Sequence, residues 1–486
     1  FIRRGKAIMS LSGSVCGGSG SSSGISGGGR TGLGRGENSA PFCDSNSNSD
    51  DGKSRVCSSF RTHLPAKTPK CDSSIWSVLK TCIGKDLSKI TMPVQFNEPL
   101  SFLQRISEHM EYSELLNFET DDPVERIQKV AAFAVSALAS NWQRCGKPFN
   151  PVFGETYELQ RDGYRFVSEQ VSHHPPISAW NAESDTFVFH GWIYPKLKLW
   201  GKSVEVHPKG NMRLFLKKYN ESYQWQHIYC TVHNVVIGKL WIEHHGNMEI
   251  QCSESGLKLS LHFKPAGWFH NELHRFEGFI TDAKKTKLRY VYGKWTQAMK
   301  STDIESYDEH NATKKSPAVS PSPGRKMFQK LNSLSIGKSF STSLDPSPSE
   351  PTDLSPENQD DSIPKADTEL IDIPNSVTLW EVSARPEHAA DYNHFTHFAM
   401  GLNQVLPDMK SLCPTDSRFR PDIRKLEEGD LDGAAEEKNK LEEKQRKLLK
   451  AKSDLKPQWF DKNGEDWSFN GKYWTEGSKS HVITLF

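Results

Sequence analysis

Lys258-Leu259-Ser260-Leu261-His262-Phe263 alternates polar and apolar side chains at every step. Successive side chains of an extended chain point to opposite faces, so this run puts Leu259, Leu261 and Phe263 on one buried face. The same period of two recurs upstream in Lys239-Leu240-Trp241-Ile242-Glu243 and Ser203-Val204-Glu205-Val206, and downstream in Leu288-Arg289-Tyr290-Val291-Tyr292. Tyr164-Arg165-Phe166-Val167, Phe187-Val188-Phe189-His190, Lys196-Leu197-Lys198-Leu199 and Leu214-Phe215-Leu216 repeat it again. Between residues 157 and 295 such runs follow one another with turns between them and no helix-length segments. That pattern argues against a parallel α/β sheet and for a large antiparallel sheet closing on itself. The fold class expected is mainly β (α+β), a near-closed antiparallel barrel with flanking helices.

Helices are expected outside that block. Ile75, Trp76, Val78, Leu79, Cys82 and Ile83 share one helical face before Gly84, which fits an ordinary core helix or a mobile amphipathic lid. Leu100, Leu103, Ile106 and Met110 mark a short helix. Asp122 as N-cap, Pro123 at the first helical position and Glu125 completing a capping box start a longer one. Its stripe is Ile127, Val130, Ala131, Ala134, Ala137 and Leu138. Residues 433–453 form a charged helix with a narrow apolar edge of Leu441, Leu448 and Leu449. The aromatic end, Trp459-Phe460 through Tyr473-Trp474, docks on the core.

The chain has 486 residues, 61 Lys and Arg against 60 Asp and Glu, and 13 Trp. A net charge of +1 gives no global field toward nucleic acid, so any basic site is a local cluster. The nine cysteines are scattered without C-x-x-C spacing, which fits reduced thiols in a cytosolic protein. The longest mildly apolar run, 131–139, is too short to span a bilayer. Phe1 in place of Met reads as a fragment or partial gene model, with no signal-peptide core. Residues 1–72, Gly/Ser-rich over 10–50, are expected to be disordered, and so is a Ser/Pro-rich insertion at 303–368 with Ser-Pro pairs at Ser316, Ser320, Ser322, Ser347 and Ser355. The ordered domain is expected at 73–477. A G-x-S-x-G match at 24–28 lacks the strand and helix that a nucleophile elbow needs.

The most specific stretch is Glu169-Gln170-Val171-Ser172-His173-His174-Pro175-Pro176. Adjacent histidines on a strand point to opposite faces and chelate poorly, so no metal site is expected. Pro-Pro ends the strand, and the turn can present both imidazoles at a sheet rim, where their N–H groups donate to phosphate. This octapeptide resembles the fingerprint of the oxysterol-binding-protein-related lipid-transfer domain. Gly146-Lys147-Pro148-Phe149-Asn150-Pro151, Gly154-Glu155-Thr156-Tyr157, Asn234 to Trp241, Tyr292-Gly293-Lys294-Trp295 and Arg420-Pro421-Asp422 agree in order. The resemblance covers 73–477 apart from the insertion. Leu87 to Pro93 and Asn97 to Leu103 look most like the branch holding oxysterol-binding protein-related proteins 1 and 2.

The resemblance implies a barrel around a lipid tunnel, closed by an N-terminal helical lid over residues 76–83. It implies that His173 and His174 hold the ring phosphate of a phosphoinositide, while Lys147 and Asn150 contact the bridging phosphate and nearby inositol oxygens. Lys438, Glu442 and Arg446, spaced by four, stack on one helical face, and the family uses such a triad as two cations around a carboxylate that accepts from inositol hydroxyls. Read alone, that spacing is more often a solvated salt-bridge ladder, and only the resemblance reverses this. Leu87, Ser88, Lys89, Ile90, Thr91 and Met92 would be the lid-flanking lipid contact. The function implied is non-enzymatic exchange of sterol and phosphoinositide (4-phosphate or bisphosphate) between membranes, without cofactor or metal. Alternatives are a phosphatidylserine carrier and a lipid sensor or scaffold; a hydrolase using His173 as base lacks a nucleophile. Expected partners are membrane lipids and an endoplasmic-reticulum receptor whose motif is not visible here, with no nucleic acid and a monomeric state. The expected location is cytoplasmic, peripheral at contacts among endoplasmic reticulum, endosome and plasma membrane.

Overall fold

A computed structural model describes residues 61–69, 80, 92–266, 273–315, 370–406, 409, 412–451, 455–476 and 485–486. The chain divides into two compact units, Phe1–Ser58 and Ser59–Phe486, and every described residue belongs to the second. The Gly/Ser tract at 10–50, the lid helix apart from Lys80, and insertion residues 316–368 lie outside the described residues.

The strands are β1 (Asn97–Ser101), β2 (Lys147–Phe149), β3 (Thr156–Arg161), β4 (Tyr164–Ser172), β5 (Ile177–Ser184), β6 (Phe187–Trp200), β7 (Ser203–Lys209), β8 (Asn211–Leu216) and β9 (Glu221–Gln226). They continue with β10 (Tyr229–His233), β11 (Trp241–Cys252), β12 (Lys258–Phe263), β13 (Arg275–Thr281), β14 (Lys287–Lys294), β15 (Ala298–Thr302), β16 (Val377–Glu381), β17 (Phe460–Asn463) and β18 (Asp466–Phe469). The helices that position the site are α1 (Phe102–Ser107), α2 (Pro123–Ser136), α3 (Ile304–Lys315), α4 (Pro421–Glu427) and α5 (Leu431–Ala451).

Strands β3 to β16 form one 14-stranded antiparallel sheet in which sequence neighbours lie side by side except β7 and β8, and β9 and β10. β7 and β8 run along the same edge of β6, pairing with Tyr194–Trp200 and Phe187–Gly191 respectively, and β10 and β9 pair with them in turn. The chain bends between β7 and β8 at Gly210, with φ of +136°, where an added Cβ would lie 1.9 Å from the Trp192 carbonyl oxygen. The alternation read from the sequence holds: in β12, Leu259, Leu261 and Phe263 are buried and Ser260 and His262 exposed.

The sheet curls because one helix touches strands far apart in its order. α2 packs against β11, β15 and β16, and its Phe133 meets Phe189 of β6 edge-on, ring centroids 5.2 Å apart. Ile127, Val130, Ala131, Ala132, Phe133, Ala134 and Val135 are all buried, which marks an interior helix rather than a surface one. Asp122 caps it, accepting from the Val124 N–H at 2.8 Å. Glu125 does not complete the expected box; it accepts from the Thr120 hydroxyl at 2.7 Å instead.

Other expectations shift. Leu100 belongs to β1, so the next helix starts at Phe102, where Gln104 accepts from the Ser101 N–H at 2.7 Å, and a 3-10 turn carries the chain through Met110. The segment read as disordered up to residue 72 is anchored at 61–69. Leu64 is buried, Arg61 donates to the Met400 carbonyl at 2.7 Å and pairs with Glu427, and the Thr68 N–H reaches the Asp391 carbonyl at 2.7 Å. Composition averaged over the tract hid these few anchors. The insertion likewise opens with α3. Asp303 accepts from the Ser306 N–H at 2.8 Å, and Tyr307 packs on Tyr290 and Phe279. Across the insertion β15 and β16 pair directly, Met299 opposite Trp380. The charged helix starts at Leu431, two residues earlier than expected, and is described through Ala451. Trp459, Phe460, Trp467 and Tyr473 dock on Val167, Val171 and Ala179, as the aromatic end implied.

Candidate functional site

The site starts from a short parallel pair. Asn97 on β1 lies opposite Lys147 on β2, and its side-chain amide donates to the Lys147 carbonyl at 2.9 Å. Pro148 and the fully buried Phe149 fix the chain, with Phe149 packed on Val94, Ile423, Leu426 and Ala434. Lys147 Nζ then reaches Asn150 Oδ1 at 2.7 Å. Arg420 holds this loop from behind, donating to the Asn150 carbonyl at 2.9 Å and to Glu155 at 2.8 Å while pairing with Asp422 at 2.7 Å. Ser101 and Ser417 hydroxyls complete the Glu155 carboxylate at 2.5 and 2.7 Å. This buried network is structural: every charge has a partner, so the loop is rigid.

α5 brings the second cation. Its buried face is Ala434, Lys438, Leu441 and Gln445, spaced by four, three and four as one helical stripe. A lysine on that stripe is unusual, and Lys438 meets two oxygens: it donates to the Met92 carbonyl and pairs with Glu442 at 3.5 Å. Desolvation lowers the Lys438 ammonium below its ordinary range despite Glu442. Half-buried Lys147 faces the same cluster. Desolvation, then the like charge of Lys438, pulls its ammonium down to about 8, with Glu442 opposing and Arg420 adding to the fall. Two amines crowded around one carboxylate form a pocket of unbalanced positive charge, suited to a phosphate. Arg446 lies about two turns beyond Lys438 on α5 and is exposed.

His173 and His174 occupy the tight turn joining β4 to β5, after a strand that ends at Ser172 and before a cis His174–Pro175 bond. The expectation that adjacent histidines diverge assumed strand geometry. In the turn their ring centroids sit 4.5 Å apart. His173 is half-buried, its Nδ1 meets no hydrogen-bond partner among the described residues, and desolvation with the neighbouring imidazole lowers it to about 4. His174 is exposed. A chain of bonds ties this turn to α5: Gln445 accepts from the Phe153 N–H at 3.2 Å, the Gly154 N–H reaches the Gln170 carbonyl at 3.0 Å, and the Gln170 amide holds the Ser172 carbonyl at 3.0 Å.

The structure therefore pairs Lys147 with Asn150 and Lys438 with Glu442, each pair within the electrostatic reach of the other, with Met92 touching Lys438. Among the described residues no hydrogen bond links either imidazole to Lys147 or Lys438; the 150–155 loop stands between the two groups. Leu87, Ser88, Lys89, Ile90 and Thr91 lie outside the described residues. Sequence reasoning left Glu169, Arg420 and Asp422 without roles. Glu169, buried and pushed up to about 7 by desolvation, accepts the Gln458 and Trp459 N–H groups at 2.8 and 2.9 Å and so fastens the terminal segment to β4. The Arg-Pro-Asp spacing was the available signal for the Arg420 network.

Behind the cations lies an apolar cluster. Val235 is buried, and half-buried Met92, Leu197, Leu199, Val204, Val232, Val236 and Leu240 pack around it. Met92 thus belongs to both groups, its side chain in the apolar cluster and its carbonyl on Lys438. Among the described residues no cluster of three or more His, Cys, Asp or Glu side chains converges as a metal site, and no helix is long and apolar enough to cross a membrane.

Comparison with known proteins supplies the lineage. The family model described as oxysterol-binding protein matches residues 74–478. Human oxysterol-binding protein-related protein 1 is 49% identical over 443 residues, covering 87% of this chain and 44% of its own length. Mouse oxysterol-binding protein-related protein 2 is 47% identical over 431 residues, 85% of each chain. This chain therefore spans less than half of related protein 1. Among solved structures, the Saccharomyces cerevisiae Osh3 ORD in complex with PI(4)P aligns with a TM-score of 0.68 and 30% identity over 88% of this chain and 99% of that one. The Osh1 ORD domain in complex with ergosterol aligns with a TM-score of 0.69 and 31% identity over 88% and 95%. By the family match, the shared curled antiparallel sheet and these identities, the chain belongs to the oxysterol-binding protein family.

Proposed function

We propose that this protein is a non-enzymatic lipid carrier that holds either a sterol or a phosphoinositide in one interior and exchanges them between membranes. The observation that carries the reading is the double role of Met92, which sets partly desolvated Lys438 against an apolar cluster, with Lys147 inside its electrostatic field. A phosphoinositide needs that pairing: phosphate on the lysines, acyl chains on the apolar side. A sterol needs only the apolar side. The two cargoes would then exclude one another. Solved relatives bound to PI(4)P, ergosterol and cholesterol support both cargoes.

In this reading Lys147 and Lys438 receive phosphate oxygens, and Asn150 and Glu442 address inositol hydroxyls. His173 and His174 donate to the ring phosphate from the neighbouring turn, and exposed Arg446 adds charge at the rim. Residues 87–92 give the lid-flanking contact and 76–83 the lid. Hiding the cargo matters energetically: several hundred Å² of apolar lipid surface in water costs on the order of 10 kcal/mol at ~25 cal/mol per Å². The carrier would work as a peripheral protein at cytoplasmic membrane contacts.

Native mass spectrometry of lipid bound to the full chain tests this, with a His173→Ala/His174→Ala variant beside it. The wild type is expected to take up both sterol and phosphoinositide, and the variant to lose the phosphoinositide and keep the sterol. Equal retention by the variant removes the histidines from the site. Uptake of phosphatidylserine alone replaces the proposed cargo pair.

A further inference from the structure

Trp200, at 79%, is the most exposed large apolar side chain among the described residues. It ends β6 at the hairpin to β7, where Gly201 takes a positive φ of 56°. The hairpin is braced by the loop between β10 and β11: the Val235 N–H donates to the Lys202 carbonyl at 2.9 Å, and the Asn234 amide holds the Lys239 carbonyl at 3.0 Å. That loop carries Ile237, 54% exposed. Two apolar side chains thus project from two tied turns, which no interior packing requires.

Their surroundings are basic. Lys198, Lys202 and Lys239 are exposed on the same two turns. No Asp or Glu occurs in 186–204 or 222–242. The nearest carboxylate in register, Glu205 opposite Lys198, is engaged by His207. In a chain of net charge +1 this is a local concentration of one sign. Strand alternation places Lys196, Lys198 and Trp200 on the outer face, while Leu197 and Leu199 enter the apolar cluster that holds Met92. The patch therefore backs onto the apolar cluster whose Met92 meets Lys438, the rim at which the carrier reading puts phosphate.

We propose that Trp200 and Ile237, flanked by Lys198, Lys202 and Lys239, form a wedge that enters the headgroup layer of an anionic phospholipid bilayer. An exposed indole beside lysines suits that layer: the ring seats among headgroups and acyl-chain ends, and the ammonium groups neutralise lipid charge. The inference rests on the carrier reading only for calling this rim the mouth. Wedge insertion would orient the mouth toward the membrane whichever lipid is inside.

Flotation of the full chain with vesicles lacking sterol and phosphoinositide tests it. Vesicles of phosphatidylcholine alone are compared with vesicles containing phosphatidylserine. The wild type is expected to bind the anionic vesicles, less at high salt. Trp200→Ala/Ile237→Ala should weaken binding about ten-fold or more. Lys198→Gln/Lys202→Gln/Lys239→Gln should lose about five-fold per lysine and the preference for phosphatidylserine. Sterol delivered from cyclodextrin should load both variants as it loads the wild type. Undiminished vesicle binding by the Trp200/Ile237 variant overturns the proposal and leaves the patch to a protein partner. Loss of vesicle binding together with loss of cyclodextrin-delivered sterol overturns it too, because the patch would then serve folding. Failure of the wild type to load either cargo, with the vesicle results intact, would count against the carrier reading alone.

Discussion

Lys147 is a site residue whose charge is strongly altered by its surroundings. Its ammonium falls to about 8 from 10.5, first by desolvation and then by Lys438. The folded protein therefore binds fewer protons there than the unfolded chain between those values. The resulting stability penalty is present at neutral pH and is relieved as pH rises from about 8 toward 10.5. Binding runs the other way, because an anion favours the charged form. Phosphoinositide affinity is expected to hold near pH 7 and to be about ten-fold weaker at about pH 9, one unit above the free value. Lys147→Ala should bind more weakly and lose that slope. Fluorescence titration with a short-chain phosphoinositide across pH reads both, and a wild-type profile flat through pH 9 contradicts the assignment. His173, lowered to about 4, is neutral at these pH values and acts through an N–H rather than a charge.

Among the elements, β4 carries the most. Its Val167 and Val171 seat the terminal aromatic segment, its Glu169 fastens that segment's backbone, and its end presents the histidines. Glu169→Ala leaves the Gln458 and Trp459 N–H groups without their acceptor, and urea unfolding is expected to show a loss of about 3 kcal/mol. Because the folded carboxyl is raised to about 7 from 4.5, its contribution is fullest below 4.5 and is lost as pH rises through 7. The variant's stability should vary less across that window; an unchanged slope contradicts the role. The strands themselves were legible, since period two writes burial directly into β12 and its neighbours. The bend at Gly210 was not, because one glycine in a strand pattern does not say which edge it turns. α3 was hidden because Ser and Asp suppress a helix in composition, whereas as the Asp303–Ser306 pair they start one. The histidine pair was read as diverging because the reading placed it on the strand, one residue before the turn that brings the rings together.

At the scale of the molecule, a curled sheet around α2 gathers residues from 92, 147 and 438 at one rim, beside the turn at 173. Sequence periodicity announced the sheet, but nothing local announced that rim: spacing alone left Lys438 and Glu442 as a surface ladder, and the resemblance to a family placed them. The apolar cluster around Val235 was not legible as a cluster: the stretch Asn234 to Trp241 carried part of the resemblance, but its valines and leucines do not say which other strands they meet. The central claim is that one interior serves two cargoes, with the lysines engaging only one of them. Release of a preloaded fluorescent sterol on titrating a phosphoinositide measures it directly, in the wild type and in Lys147→Ala/Lys438→Ala. The account predicts one sterol released per phosphoinositide bound by the wild type, and a variant that keeps its sterol. Simultaneous binding of both lipids, or equal displacement in the variant, would contradict it.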